Sequence, residues 1–137
     1  MNLISRKSLS GVSTGEVLQS IGTAWCIVLI VVTFLQVAIV CGDSMKPTLM
    51  DGDMLLVSRF SKIEKGDIVI AYPEKKCVVK RVAGVEGDRI AGTIIRKGEY
   101  YLIGDNRNHS RDSRDYGSTD AVYGKVIWRI LPRFGKP

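Results

Sequence analysis

A serine hydroxyl becomes a nucleophile only where a neighbouring group can take its proton, so serines in constrained turns and the bases near them come first. Ser44 stands in the string Gly42-Asp43-Ser44-Met45-Lys46-Pro47-Thr48-Leu49. The nearby glycine and the proline that follows put its hydroxyl at a tight bend, because proline cannot continue a strand ladder. Taken alone, a serine there reads first as a turn residue. The nucleophile reading needs a base, and few are on offer. His109 is the sole histidine, so any Ser-His-Asp arrangement must use it. Its loop, Asn106-Arg107-Asn108-His109-Ser110-Arg111, reads as solvated. The other available base is a lysine made neutral by burial. Its ordinary pKa of about 10.4 must fall by about three units, roughly 4 kcal/mol, to serve near neutral pH. Lys80 is the candidate, since it follows Cys77-Val78-Val79 and precedes Val82-Ala83. Strand alternation sets Val78, Lys80 and Val82 on one face. A lysine between valines reads either as an edge-strand gatekeeper or as a desolvated base. Lys62, Lys65, Lys75 and Lys76 sit in polar turns and read as solvated.

Hydropathy and turn chemistry place these residues on a small set of elements. Positions 17–42 carry no charged side chain and include Trp25, Ile27 to Val32, Phe34 and Leu35. About 20 helical residues cross a hydrocarbon core of ~30 Å, so the stretch reads as a retained membrane anchor. A buried soluble helix and a cleaved secretory signal are the alternatives. The segment 1–16 carries Arg6 and Lys7 against Glu16, an excess that favours a cytoplasmic N-terminus with the following domain across the membrane. From Asp43 onward the pattern changes to short β-branched runs. Candidate strands are Met54–Ser58, Asp67–Tyr72, Cys77–Val85, Arg89–Ala91, Thr93–Arg96, Tyr100–Ile103 and Val122–Leu131, punctuated by Asp51-Gly52, Lys65-Gly66, Gly87-Asp88, Lys97-Gly98 and Gly104-Asp105. The expected organisation is an N-terminal segment 1–16, an anchor 17–42 and a compact domain 43–137. The expected fold class is mainly β, a barrel or coiled-sheet domain behind one transmembrane helix.

The 137 residues leave room for one small domain beside that anchor. Three cysteines and one histidine argue against an all-protein zinc site, because Cys26 and Cys41 lie in the apolar run. The odd cysteine count argues against a disulfide scaffold. The net charge of +6 is scattered, with no basic run interleaved with aromatics. A nucleic-acid partner is therefore not expected, and a basic domain beside an anionic bilayer is the better use of that charge.

Four blocks in order carry a resemblance. They are Gly42 through Leu49, Gly66-Asp67-Ile68-Val69, Lys80-Arg81-Val82-Ala83-Gly84-Val85-Glu86-Gly87-Asp88, and Gly104-Asp105-Asn106-Arg107 through Ser110-Arg111-Asp112-Ser113-Arg114. Behind an apolar anchor this combination resembles type I signal peptidase. The resemblance implies a Ser/Lys endopeptidase in which Ser44 matches the nucleophile and Lys80 the general base. It matches Ser110 to the hydroxyl that helps orient the lysine, and Asp105, Arg107, Asp112 and Arg114 to a charged block that buttresses the site. Asp112 and Arg114 then read as a structural ion pair. It implies small-residue substrate pockets, offered here by Val40, Met45, Leu49, Val78 and Val79, and needs no metal and no cofactor. Its substrates would be secretory preproteins cut after small-x-small sites. The implied location is the cell inner membrane, or alternatively the mitochondrial inner membrane, with the cleavage site meeting Ser44 about 10 Å beyond Cys41 at most.

Two departures from the pattern matter. Some members of that family place a serine two residues before the nucleophile to help bind the oxyanion, and Gly42 stands there in this chain. Only eleven residues separate Asp88 from Tyr100, so the chain resembles the short, minimal-core forms. A self-cleaving Ser/Lys domain of the SOS-repressor type and an inactive membrane-tethered β-domain that binds a partner are the rival readings.

Overall fold

The computed structural model describes residues 13–131. Arg6 and Lys7, on which the expected orientation rests, lie outside the described residues. The chain divides into two compact units at Thr33/Phe34.

The first unit is dominated by the helix α1, Thr14–Phe34. It starts at Ser13, whose Oγ accepts from the Gly15 N–H at 3.2 Å while Glu16 Oε2 accepts from the Ser13 N–H at 3.0 Å. This reciprocal arrangement satisfies donors that a helix start leaves open. Its polar interruptions bond back along the helix. Ser20 Oγ donates to Val17 O, Thr23 Oγ1 to Ser20 O and Thr33 Oγ1 to Leu29 O, at 2.8, 2.9 and 2.7 Å. With those hydroxyls spent internally, the 21-residue helix is long and apolar enough to cross a membrane.

The second unit is built on an antiparallel sheet. Its strands are β1 (Leu35–Ile39), β2 (Met54–Ser58), β3 (Ile68–Ala71), β4 (Val78–Gly84), β7 (Tyr101–Ile103) and β8 (Val122–Leu131), in the order β1-β2-β8-β3-β4-β7. A separate hairpin joins β5 (Arg89–Ile90) to β6 (Thr93–Ile94), and one short helix, α2, covers Ser113–Tyr116. Alternation sorts β2 cleanly, with Leu55 and Val57 buried and Met54, Leu56 and Ser58 partly exposed. All four residues of β3 are buried. Ile68 and Ile70 join Val40, Met45, Leu49, Leu55, Val57 and Val126 in one apolar cluster, and Val69 and Ala71 join Val82 and Leu102 in a second. A strand covered on both faces reads as a continuous apolar run, which is what Ile68-Val69-Ile70-Ala71 is.

The uncharged stretch 17–42 does not run as one helix. It ends at Phe34, and Leu35–Ile39 pairs in register with β2 from Leu35↔Ser58 to Ile39↔Met54. Ala38 packs on the first cluster, and the Tyr123 hydroxyl donates to Gln36 Oε1. Hydropathy could not separate these two states. A strand neighbour that satisfies the backbone groups of residues 35–39 decides for extended structure.

Candidate active site

Ser44 lies in the loop between β1 and β2. The loop closes on itself, with the Val40 N–H donating to Asp53 O and the Gly52 N–H to Val40 O, both at 2.9 Å. Buried Met45 and Leu49 anchor it in the first cluster. Gly42 takes φ +91° and donates its N–H to Asp51 Oδ1 at 2.7 Å. That left-handed backbone suits glycine, so a serine at position 42 would be strained whatever space surrounds it. Asp53 is buried. Its Oδ2 accepts from the Met50 N–H at 2.9 Å and lies 3.6 Å from Arg129 Nη1, which also donates to Thr48 O at 2.7 Å.

Lys80 lies on β4, opposite Val69 of β3. Its strand has β3 on one side and β7 on the other, and only 3% of the residue is exposed. Burial removes the gatekeeper reading, because gatekeepers stand in solvent at sheet edges. Lys80 Nζ donates to Ser44 Oγ at 2.7 Å. Burial lowers the pKa of this amine below the ordinary 10.5, against a smaller opposing pull from the Asp112 carboxylate.

The loop between β7 and α2 supplies the charged groups. Fully buried Asp112 accepts at Oδ2 from the Gly104 N–H (2.9 Å), Ser110 Oγ (2.8 Å) and Arg114 Nη2 (3.0 Å), and at Oδ1 from Arg114 Nε (2.8 Å) and the Arg114 N–H (3.2 Å). Burial alone pushes this carboxyl up, but the bonds from Arg114, Gly104 and Ser110 outweigh it and hold the pKa down at about 2. Asp105 accepts both Arg81 Nε (2.8 Å) and Arg81 Nη2 (2.7 Å), and also Thr48 Oγ1 at 2.5 Å. Burial opposes ionisation of Asp105, yet the Arg81 and Thr48 bonds keep its pKa below the ordinary carboxylate value. Arg81 reaches Gly66 O as well, at 2.7 Å. The two carboxylates therefore tie the Ser44 loop, β4 and the 104–112 loop together.

Ser110, matched by resemblance to a lysine-orienting hydroxyl, bonds to Asp112, and no hydrogen bond joins it to Lys80 among the described residues. Arg107 is exposed in a single 3-10 turn, Arg107–His109, and its carbonyl accepts from Arg114 Nη2 at 2.8 Å. Exposed His109 accompanies it. A groove of about 210 Å³ beside Ser44 is lined by Val40, Met45, Val78 and Val79, together with Ile39, Cys41, Cys77 and Lys80. Leu49 sits in the core beneath it and does not line it. No cluster of metal-ligating side chains occurs among the described residues.

The model of the signal peptidase family, peptidase S26, matches residues 14–93 and 91–131. The chain belongs to the signal peptidase family. It is similar to mitochondrial inner membrane protease subunit 1 of Xenopus tropicalis, 37% identical over 116 residues that cover 71% of this chain and 70% of the relative. Mitochondrial ATP-independent inner membrane protease subunit 1b of Arabidopsis thaliana is 41% identical over 113 residues, covering 66% and 67%. Signal peptidase IB of Staphylococcus aureus is 31% identical over 166 residues, covering 82% and 87%. The chain is a serine peptidase of the signal-peptidase type, with one N-terminal helix apolar enough for a membrane.

Within this signal peptidase several residues to which the sequence reading gave no role meet at the site. Asn106 donates its N–H to Ser44 O (2.9 Å) and its Nδ2 to Asp43 O (3.0 Å). Arg81 and Thr48 converge on Asp105, and Gly104 lies where a Cβ would come within 2.1 Å of Ser110 Oγ and 2.6 Å of Ser44 O. Asn106 and Thr48 fall inside the blocks that carry the resemblance, yet nothing along the chain assigns either a partner, since an amide or hydroxyl in a polar loop looks like any other. Gly104 could have been read as more than turn chemistry only by knowing which backbone approaches it. Gly104→Ala is expected to lower cleavage activity and to cost about 1–3 kcal/mol, because the added methyl must displace Ser110 and the Ser44 carbonyl together. Steady-state rates and a urea unfolding curve on the same variant check both.

Proposed function

We propose that this signal peptidase removes signal peptides from secretory preproteins after small-x-small sites, with Ser44 as nucleophile and Lys80 as general base. The observation that carries the reading is the buried Lys80 amine at 2.7 Å from Ser44 Oγ. Neutral Lys80 accepts the Ser44 proton as Oγ attacks the scissile carbonyl. The protonated amine then gives that proton to the leaving amine, and an acyl-enzyme remains. Water that loses a proton to Lys80 attacks the ester and frees Ser44. No step calls for a metal or cofactor.

Pairing between β4 and β7 begins at Arg81↔Ile103, so Val78–Lys80 has no strand partner on that side among the described residues. An extended substrate adding main-chain bonds there would bring its side chains to the groove, whose 210 Å³ and apolar lining suit two small residues. Helix α1 is the single-pass anchor in this reading, with the N-terminus cytoplasmic and the peptidase domain on the opposite side of a bacterial cell membrane or a mitochondrial inner membrane. Enzyme and signal peptide would then share one plane, which raises their effective concentration. The Asp105–Arg81 and Asp112–Arg114 pairs hold the geometry, and Ser110 acts through Asp112.

Mass spectrometry of products from a precursor with a small-x-small site, incubated in detergent, tests the assignment. The unsubstituted chain is expected to release a single signal peptide, and Ser44→Ala none. Cleavage that survives Ser44→Ala, or its absence from the unsubstituted chain, rejects the reading. The pH profile is a second test. Because the folded pKa of Lys80 is lowered, the neutral base appears below pH 10.5. Activity should thus rise with pH along a limb below that value and then level off, and a limb at the ordinary lysine value would remove Lys80 as the base.

A further inference from the structure

Asn106 holds two consecutive carbonyls around the proposed nucleophile. Its side-chain Nδ2 donates to Asp43 O at 3.0 Å, and its own N–H donates to Ser44 O at 2.9 Å. Because the partner at 3.0 Å is a carbonyl oxygen, only the amide nitrogen of the side chain can face it. A second donor, the Lys46 N–H at 3.1 Å, closes on the same Asp43 oxygen. The sole cis peptide among the described residues is Lys46–Pro47, so the Asp43–Ser44 peptide is trans. In a planar trans peptide the N–H points opposite the C=O. Fixing Asp43 O from two sides therefore fixes where the Ser44 N–H points. That N–H makes no hydrogen bond of its own among the described residues.

We propose that Asn106 is a positioning residue that orients and polarises the Asp43–Ser44 peptide so that the Ser44 N–H can donate to the oxyanion formed on attack. The proposal rests on the reading of Ser44 as nucleophile. A donor bonded to the carbonyl of a peptide withdraws charge from its nitrogen and makes the N–H a stronger donor, most of all where water is scarce. Gly42 sharpens the need. A residue without a side chain offers no hydroxyl as second donor, which leaves the Ser44 backbone with a larger share of the developing charge. Residue type matters as well: Asp at 106 would present a carboxylate to a carbonyl, and Ala would present nothing. The absent Cβ of Gly104 lets this loop approach closely enough for both bonds, since its Cβ would fall 2.6 Å from Ser44 O.

The test uses the full chain in detergent, with Asn106→Ala and Asn106→Asp, a preprotein substrate and a substrate-like peptide aldehyde. The aldehyde captures the chemistry directly. Ser44 Oγ bonds to the aldehyde carbon, the C=O π bond breaks, its oxygen takes the electron pair, and the serine proton passes to Lys80. Loss of one oxyanion donor typically lowers kcat by ~10²–10³, so an indirect support should lower it by about 10–100-fold. The expected pattern is that fall in kcat for Asn106→Ala and a deeper one for Asn106→Asp. KM and the pH limb of Lys80 should stay unchanged, and aldehyde affinity should weaken in step with kcat/KM. Unchanged kcat in both variants overturns the proposal, and so does a fall in kcat with undiminished aldehyde affinity.

Should the variants not fold, the unsubstituted chain labelled with 15N decides. Addition of the aldehyde is expected to move the Ser44 amide proton downfield, and an unmoved amide in a formed adduct overturns the proposal. If the aldehyde forms no adduct that Ser44→Ala abolishes, the nucleophile reading itself fails, which is a distinguishable outcome.

Discussion

Lys80→Met is expected to lower kcat/KM for a preprotein by at least ~10³, while the melting temperature stays level or rises. The two readouts move apart for one reason. The amine is 3% exposed and its one described hydrogen bond goes to Ser44 Oγ, so in the proposed mechanism the fold bears a desolvation cost that serves only the chemistry. Methionine has a similar length and flexibility, and it sits comfortably beside the Val69 and Val82 cluster. Removing the amine thus removes the proposed base and the cost together. A merely structural lysine would give the reverse, with activity retained or stability lost. Steady-state cleavage and a thermal melt by circular dichroism on one preparation separate the two.

Asp112→Ala carries the largest expected loss of stability, about 3 kcal/mol, or ~10–20 °C in melting temperature for a domain of this size. The carboxylate is fully buried and satisfies the Gly104 N–H, Ser110 Oγ and Arg114 at once. Truncation strands a buried backbone donor and a hydroxyl. Arg114, 40% exposed, finds water and adds less to the loss. The sign with pH follows from the depressed pKa. The contribution of Asp112 is present above the ordinary carboxyl value of 3.8 and is lost as pH falls toward about 2. In the unsubstituted chain an unfolding transition followed from pH 5 to pH 2 should show this loss. Asp112→Ala should be flatter over the same window. Activity should fall too, because Gly104 and Ser110 lose the group that fixes them beside Ser44.

Much of the scaffold was legible in the order of residue types. The limits of β2 and β8 match the strands read from β-branched runs bounded by turn pairs, and β3, β4 and β7 differ by a residue or two at their ends. Those signals are local, since alternation and turn residues report the faces a short segment will bury. Residues 35–39 misled for the same reason. Without a charge among them they continue the hydropathy of α1, and only the exposed backbone of β2, distant in sequence, turns them into a strand.

Residue order alone supplies the inventory: one apolar span, a chain of short strands, a serine in a rigid bend and a lysine among valines. It left Lys80 open between gatekeeper and base, because burial is a property of neighbours and not of the residue. Folding buries Lys80, which rules out a solvated gatekeeper, and brings residues 44, 80 and 104–112 together across long loops, which supports the proposed base. The interactions of Asn106, Thr48 and Arg81 arise there as well. Hydrogen bonds need partners within about 3 Å, and no pattern along the chain says which loop will close on which.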